Sequence, residues 1–494
     1  MDHFSNMITK TSDTYIHKMK PLRHQEESFK LSKDRKYYAL WWEMGTCKSK
    51  TIIDTFTWLY LQGEIDGVII ISDKGCYMNW YDREIEKHMM DGVDYRLCAY
   101  SSSMPQSERR AIQDMMTVKP DCLDILCMNV EAFSHDGACD LAKQFIDNHW
   151  TMMVIDECTS IKNPRAERTK RLKKLGRIVD YRRILTGTPI TQSPLDLFSM
   201  CDFLQPELLG HRSFTGFRSE YAIMRMIPMG NRSFEKIVGY RGLDRITAML
   251  RPFSTRYLKS ECLDLPEKIY EEVEVQHTEE QTAIYQKLKQ EAMVMHQQGL
   301  LTVTSAIVMI NKLHQVNCGH VKLDDHTIVH INSQRIPVLM ELLDRIGRKV
   351  VVWCNFQEDI RLIISSIGDT YRNQDIYPVS YYGETDQDDR RDAIHRFTTD
   401  PKCMWFIGTA ATGGKGIDGL QNVCDHAIYF SCGWSLEKRL QSEDRLHRNG
   451  QKNHVTITDL LVKGTVDERV LKALQMKEDL GHQVLDQLCS VIGI

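Results

Sequence analysis

The chain has 494 residues, 63 of them Lys or Arg and 67 Asp or Glu, giving a formal net charge of −4 with 42% hydrophobic residues. This length exceeds what one core serves and predicts two to four domains, and the near-neutral balance excludes bulk electrostatic attraction to nucleic acid, so any such footprint must be local. Fifteen scattered cysteines without a C-x-x-C pair exclude a disulfide scaffold and read as reduced thiols of a cytosol-like compartment.

In chain order, the start Met1-Asp-His-Phe-Ser-Asn lacks a basic region followed by an apolar stretch, and no later run reaches the length of a membrane span. A soluble cytoplasmic protein is expected. Tyr37 to Trp42 reads as a short apolar strand running into Glu43-Met-Gly-Thr-Cys-Lys-Ser-Lys-Thr51, after which Ile52, Ile53, Phe56 and Leu59 suit a helix start. Strand, tight loop and helix with Lys-Ser at the junction is a phosphate-loop layout. Backbone N–H groups of Gly45, Thr46 and Cys47 would face phosphates, Lys48 would bind β/γ oxygens, and Ser49 would offer its hydroxyl to magnesium. Cys47 stands where glycine normally precedes the lysine. Either the loop holds it in a conformation an L-residue tolerates, or nucleotide binding is weakened.

Met152 to Ile155 reads as a second apolar strand, ending in Asp156-Glu157. Carboxylates there sit where an open α/β sheet binds its ligand: Asp156 can hold magnesium through water and Glu157 can polarise an attacking water. An Asp-Glu pair alone is more often a solvated loop; following a phosphate loop, it is a complementary part of ATP hydrolysis. From Asp202 to Lys268 the anchors Phe203, Phe214, Phe217 and Tyr221 come with little strand alternation, which predicts helices. Glu279 to Leu301 and Val466 to Leu488 are amphipathic at helical spacing. His314, Cys318, His320, His326 and His330 crowd one window, but their spacing fits no standard zinc pattern.

Further on, Lys349 to Phe356 predicts a buried strand, Tyr382-Gly-Glu-Thr385 a strand end with a turn, and Gly408 to Asp418 is glycine-rich. The run Gln441-Ser-Glu-Asp-Arg-Leu-His-Arg-Asn-Gly-Gln451 places Arg445 and Arg448 three apart, on one face if helical, so both guanidinium groups can reach one anion. Two such cations neutralise the charge that spreads over γ-phosphoryl oxygens; by itself, the run is equally a solvated surface helix.

Asp156-Glu157, Lys162-Asn163-Pro, Leu185-Thr-Gly-Thr-Pro189 and Gln441 to Gln451 resemble, in order, the motifs of superfamily-two helicase-like ATPases. The Lys-Asn-Pro and the closing Asp-Arg-x-His-Arg-x-Gly-Gln look like the Swi/Snf-type branch, in a compact bacterial or viral form. The resemblance runs from about Leu22 to about Glu468. It implies an α/β fold of two RecA-like lobes with parallel sheets, a helical protrusion and a C-terminal brace helix. The implied division is an ATP-binding lobe over 1–200, protrusion and linker over 201–270, a second protrusion over 271–330 and the second lobe with its brace over 331–494. ATP and Mg2+ are the implied cofactors, held between the lobes, and double-stranded DNA is the implied partner.

By the same resemblance Gln25, in Pro21-Leu-Arg-His-Gln25, reads adenine, and Gly416, Asp418 and Gln441 line the nucleotide side of the coupling motifs. Lys415 stands where the family has an apolar residue. Lys74, Asn129, Thr188, Asn355 and Thr409 are the implied DNA contacts, to phosphates and without sequence preference; Asn79-Trp80 falls in a segment that touches a DNA strand in the family. The implied activity is ATP-driven translocation on duplex, in DNA repair, recombination or replication, with no histone-targeting domain. Two rivals stay open: a strand-separating helicase or fork and junction remodeller, and a DNA-binding module with a degenerate ATPase, motivated by Cys47.

Overall fold

The computed structural model describes residues 15–489 apart from 75, 230–231, 298–302, 386 and 415–416. Two compact units emerge: Met1–Ile223 with Gly239–Asp264 and Asp479–Ile494, and Met224–Val238 with Leu265–Glu478.

The first unit is built on strands β1 (Tyr37–Trp42), β2 (Gly67–Ser72), β3 (Tyr95–Tyr100), β4 (Leu123–Asn129), β5 (Thr151–Ile155) and β6 (Tyr181–Leu185). Next in the chain come a hairpin, β7 (Ala222–Met229) and β8 (Arg232–Tyr240), most of which falls in the second unit, and then β9 (Ser254–Tyr257) of the first. Seven strands pair in the order β3-β4-β2-β5-β6-β1-β9, every pairing parallel. Strands such as Gly67-Val-Ile-Ile-Ile-Ser72 are apolar throughout because helices cover both faces of a parallel sheet, and all six residues of β2 are buried. The helix Lys48–Leu61 lays Ile52, Ile53, Phe56 and Leu59 into the same core as Val68, Ile70, Ile125 and Val154.

The second unit holds β10 (Lys268–Glu274), a small hairpin β11 (His320–Lys322) with β12 (Ile328–His330), then β13 (Val350–Cys354), β14 (Tyr377–Tyr381), β15 (Cys403–Thr409), β16 (His426–Tyr429) and β17 (Val455–Leu461). Its six-stranded parallel sheet runs β10-β17-β16-β13-β15-β14. One core lies under Val350, Val352, Ile407 and Ile428, a second under Val351, Trp353, Phe406 and Tyr429, so alternate residues of β13 feed opposite faces. The fold is therefore α/β with two parallel sheets of the RecA-like kind.

Of the helices expected over Glu279–Leu301 and Val466–Leu488, Glu279–Gln297 and Val466–Cys489 are present, and 298–301 lie outside the described residues. In the second of these helices, Val466, Val470 and Leu474 pack on Leu436 of the second unit; side chains beyond Asp479 lie outside the described residues. The stretch 202–268 departs from its helical expectation. It contains helices Phe214–Tyr221 and Leu243–Leu250, but also the β7–β8 hairpin and β9, which closes the edge of the first sheet. Four residues, Ser-Thr-Arg-Tyr, are too few to show a period, and their pairing with β1 is a tertiary choice.

Candidate active site

The phosphate-loop residues leave the carboxyl end of β1 and turn into the helix Lys48–Leu61. Two positive φ angles make the turn: Gly45 at 78° and Cys47 at 59°, the latter with ψ 48° as N-cap of the helix. The loop thus does hold Cys47 in the left-handed region, a conformation costing an L-residue about 1–2 kcal/mol relative to glycine. Lys48 folds back over the loop, its Nζ donating to the carbonyls of Trp42 at 3.1 Å and Glu43 at 3.2 Å. From below, His24 Nε2 donates to Thr46 O at 2.9 Å and Gln25 Nε2 to Cys47 O at 3.0 Å. Gln25 is 3% exposed, and its Oε1 also accepts the Leu22 N–H at 2.8 Å, which leaves one N–H and one lone pair of its amide for a further partner. Burial lowers the His24 pKa despite the bond to Thr46.

Asp156 and Glu157 leave β5, and Thr186-Gly187-Thr188 leaves β6, which lies between β5 and β1. The Thr186 hydroxyl donates to Glu157 Oε2 at 3.0 Å. A Cβ on Gly187 would meet Met44 N at 2.9 Å, so only glycine lets this loop pass against the phosphate loop. Arg256 of β9 ties the same two segments, donating to Trp41 O at 2.7 Å and Gly187 O at 3.1 Å. Glu157 itself sits at φ 47°. Asp156 takes the Trp80 indole N–H on Oδ2 at 2.9 Å and the Glu157 N–H on Oδ1 at 3.0 Å. Burial, the largest influence, raises the Asp156 carboxyl pKa, opposed by the Trp80 bond and the Lys48 charge.

The donor set is oxygen-rich and hard. An Asp156 carboxylate and a Ser49 hydroxyl next to a phosphate loop suit magnesium, which takes one or two protein oxygens and leaves the rest to phosphates and water. The histidines of the 314–330 window go elsewhere: His314 faces Asp467 at 3.5 Å, His320 bonds Asp359 at 2.9 Å and His330 bonds Glu358 at 2.7 Å. Among the described residues, no group of three or more His, Cys, Asp or Glu could hold a metal ion.

In the second unit, Ser435 caps the helix Leu436–Glu443, and the helix stops before the arginines. Arg445 and Arg448 lie in the turns that follow, made by His447 N–H to Glu443 O at 3.0 Å and Gln451 N–H to Arg448 O at 3.0 Å, with Gly450 at φ 102°. The expected shared helical face is thus incorrect, since the chain must turn back toward β17. The two guanidinium groups still converge, because both reach Ile417 O, from Arg445 Nη1 at 2.8 Å and Arg448 Nη1 at 3.4 Å. Asp418 lies 3.4 Å from Arg448 Nη1, and though burial pushes its carboxyl pKa up, the Arg448 charge leaves it lowered. Gln441 is 2% exposed and packs at Gly414, where an added Cβ would come within 3.1 Å of the Gln441 Cβ. Gly416 and Lys415 lie outside the described residues.

The arginine segment is anchored to the chain around β10. His447 Nε2 donates to Pro266 O at 2.8 Å, while Lys268 and Tyr270 each donate to Glu443 at 2.8 Å. Arg439 bonds Glu443 at 2.6 Å and grips Asp459 with two nitrogens at 2.6 and 2.8 Å.

All five expected DNA contacts lie at carboxyl ends of parallel strands: Lys74, Asn129 and Thr188 after or at the ends of β2, β4 and β6, Asn355 and Thr409 at β13 and β15. Lys74 and Asn355 are exposed. Thr409 is 8% exposed with its hydroxyl on Thr412, Asn129 uses its Oδ1 to accept the Ala132 N–H at 2.8 Å, and the Thr188 Oγ1 is buried. Trp80 is turned inward, 2% exposed, onto Asp156. Thr186 stood inside a motif already noted, but its partner could not be read there. Trp80 was singled out only as part of a segment that touches DNA in the family, with no sign of its bond to Asp156, and Arg256 carries no local signal.

Residues 14–322 match the SNF2-related domain and residues 334–450 the helicase conserved C-terminal domain. The transcription regulatory protein SNF2 of Saccharomyces cerevisiae is 27% identical over 470 residues, 90% of this chain and 26% of that protein. An uncharacterized ATP-dependent helicase of Mycoplasma genitalium is 27% identical over 338 residues, 67% of this chain and 30% of that one. The TATA-binding protein-associated factor mot1 of Aspergillus fumigatus is 25% identical over 391 residues, 70% of this chain and 20% of that one. The chain thus spans 20–30% of the length of these curated relatives. Among solved structures, the Sulfolobus solfataricus SWI2/SNF2 ATPase core in complex with dsDNA aligns with a TM-score of 0.41 and 21% identity, covering 96% of this chain and 95% of that one.

Proposed function

The chain belongs to the SNF2-related family of superfamily-two ATPases, and from that premise we propose that it is an ATP-driven motor that moves along double-stranded DNA. The observation that carries the ATP-hydrolysing half of this reading is the joining of three loops in the first unit: Lys48 on the phosphate loop, Glu157 bonded to Thr186, and Gly187 seated against Met44; the duplex track comes from the family match. Together the three loops offer a phosphate cradle, a carboxylate for water and a hydroxyl that orients it. Lys48 holds the β/γ oxygens, and Glu157 polarises the attacking water and takes its proton. Ser49 and Asp156 would hold magnesium, which when bound supplies positive charge to the phosphate oxygens. Arg445 and Arg448 neutralise the charge that develops on the γ-phosphoryl group.

Lys74, Asn129, Thr188, Asn355 and Thr409 are assigned to the DNA backbone, with Lys74 and Asn355 the accessible members. Contacts to phosphate position the protein without reading sequence, as a motor requires. A third-strand displacement assay on a triplex with a long duplex arm tests this reading. ATP-dependent release of the third strand without parting of the duplex is expected. ATP hydrolysis with no release would overturn translocation, and strand parting would make the protein a helicase.

A further inference from the structure

Buried indole N–H groups are not always satisfied in this protein: those of Trp41, Trp353 and Trp405 have no hydrogen-bond partner. Trp80 differs, since its N–H meets Oδ2 of Asp156, a carboxylate at the centre of the site, at 2.9 Å. The ring itself is anchored in the first unit's core with Tyr77, Ile85 and Met89. Its backbone opens a wide π-helical turn, Trp80–Glu84, between the helical segments Tyr77–Asn79 and Ile85–His88. Such turns are rare, and they occur frequently at functional sites. The start of the segment is fixed too: Cys76 and Tyr77 donate their N–H groups to Asp73 O at 2.8 and 3.0 Å.

The second donor to Asp156 is the Glu157 N–H, on Oδ1 at 3.0 Å. With one donor on each oxygen, the carboxylate cannot rotate about its Cβ–Cγ bond without breaking a charge-assisted hydrogen bond. Each oxygen keeps a lone pair for another partner. We propose that Trp80 is a positioning residue, whose indole N–H holds the Asp156 carboxylate in the orientation in which it binds the nucleotide's divalent cation. This rests on the reading of Asp156 as the metal-holding acid. Donors that orient a metal-binding carboxylate typically govern about 10–100-fold in metal affinity.

The test is direct binding of Mn2+ in the presence of a non-hydrolysable ATP analogue, followed by electron paramagnetic resonance, for wild type, Trp80→Phe, Asp156→Asn and the double variant. Trp80→Phe should weaken Mn2+ binding about tenfold or more. In the Asp156→Asn background the same change should have little further effect, because the group through which Trp80 acts is altered. An equal loss in both backgrounds would make Trp80 merely a core residue, and no loss in either would also overturn the proposal. A wild type that binds no Mn2+ with nucleotide would instead overturn the metal assignment itself. If Trp80→Phe does not fold, the indole 1H–15N resonances of the wild type serve: the one displaced by Asp156→Asn should also move when Mg2+ and the analogue are added. An unmoved resonance contradicts the proposal.

Discussion

Thr186 donates its hydroxyl to Glu157 Oε2 at 3.0 Å and accepts the Thr188 N–H at 3.2 Å, so one buried side chain links the proposed general base to the loop that follows β6. Thr186→Val keeps the shape and removes the bond. A hydrogen bond to a charged group contributes about 1.5–3 kcal/mol, so kcat should fall about tenfold to a hundredfold with KM for ATP nearly unchanged. Steady-state kinetics at saturating DNA check this; a change in KM alone would place Thr186 in nucleotide binding.

Glu157→Gln leaves Asp156, Lys48 and Ser49 in place and removes only the base. ATP binding should persist, measured by calorimetry, while turnover falls by at least about a hundredfold. Turnover close to wild type would remove Glu157 from the chemistry.

Cys47 is exposed and sits at φ 59°, ψ 48°. Cys47→Gly should therefore raise stability by about 1 kcal/mol, read from denaturant unfolding. In the wild type, ATP should slow alkylation of this thiol, followed by mass spectrometry of the modified peptide. Equal labelling rates with and without nucleotide would place Cys47 outside the site.

Glu443 is buried between Lys268 and Arg439; burial alone would raise its pKa, but these two cations bring it down to about 2. A carboxyl depressed in the folded state contributes stability above its unfolded pKa and loses it as pH falls toward the folded value. Glu443→Gln should cost about 3 kcal/mol at pH 7, and the gap to wild type should close between about pH 4.5 and pH 2. A gap independent of pH would assign the loss to packing.

The phosphate loop, the acid pair and the strands that carry them were legible because each is local: an apolar run of five or six residues and the chemistry at its end, as in Tyr37–Trp42 with Lys48. The convergence of Arg445 and Arg448 was legible but misread in geometry, since it depends on Ile417 O rather than on a helical face. What stayed hidden is tertiary. β9 joins the sheet from some 200 residues beyond its neighbour β1, Trp80 reaches Asp156 across 76 residues, and Arg256 braces Trp41 across 215. No spacing rule reports contacts of that kind.

ATP-driven movement on duplex is best checked by steady-state ATP hydrolysis at one fixed salt concentration, without nucleic acid, with double-stranded DNA and with single-stranded DNA, because phosphate contacts weaken steeply with salt. Low hydrolysis by the protein alone and strong stimulation by duplex over single strands are expected. Absence of hydrolysis under all three conditions would contradict such movement, as would stimulation by single strands alone.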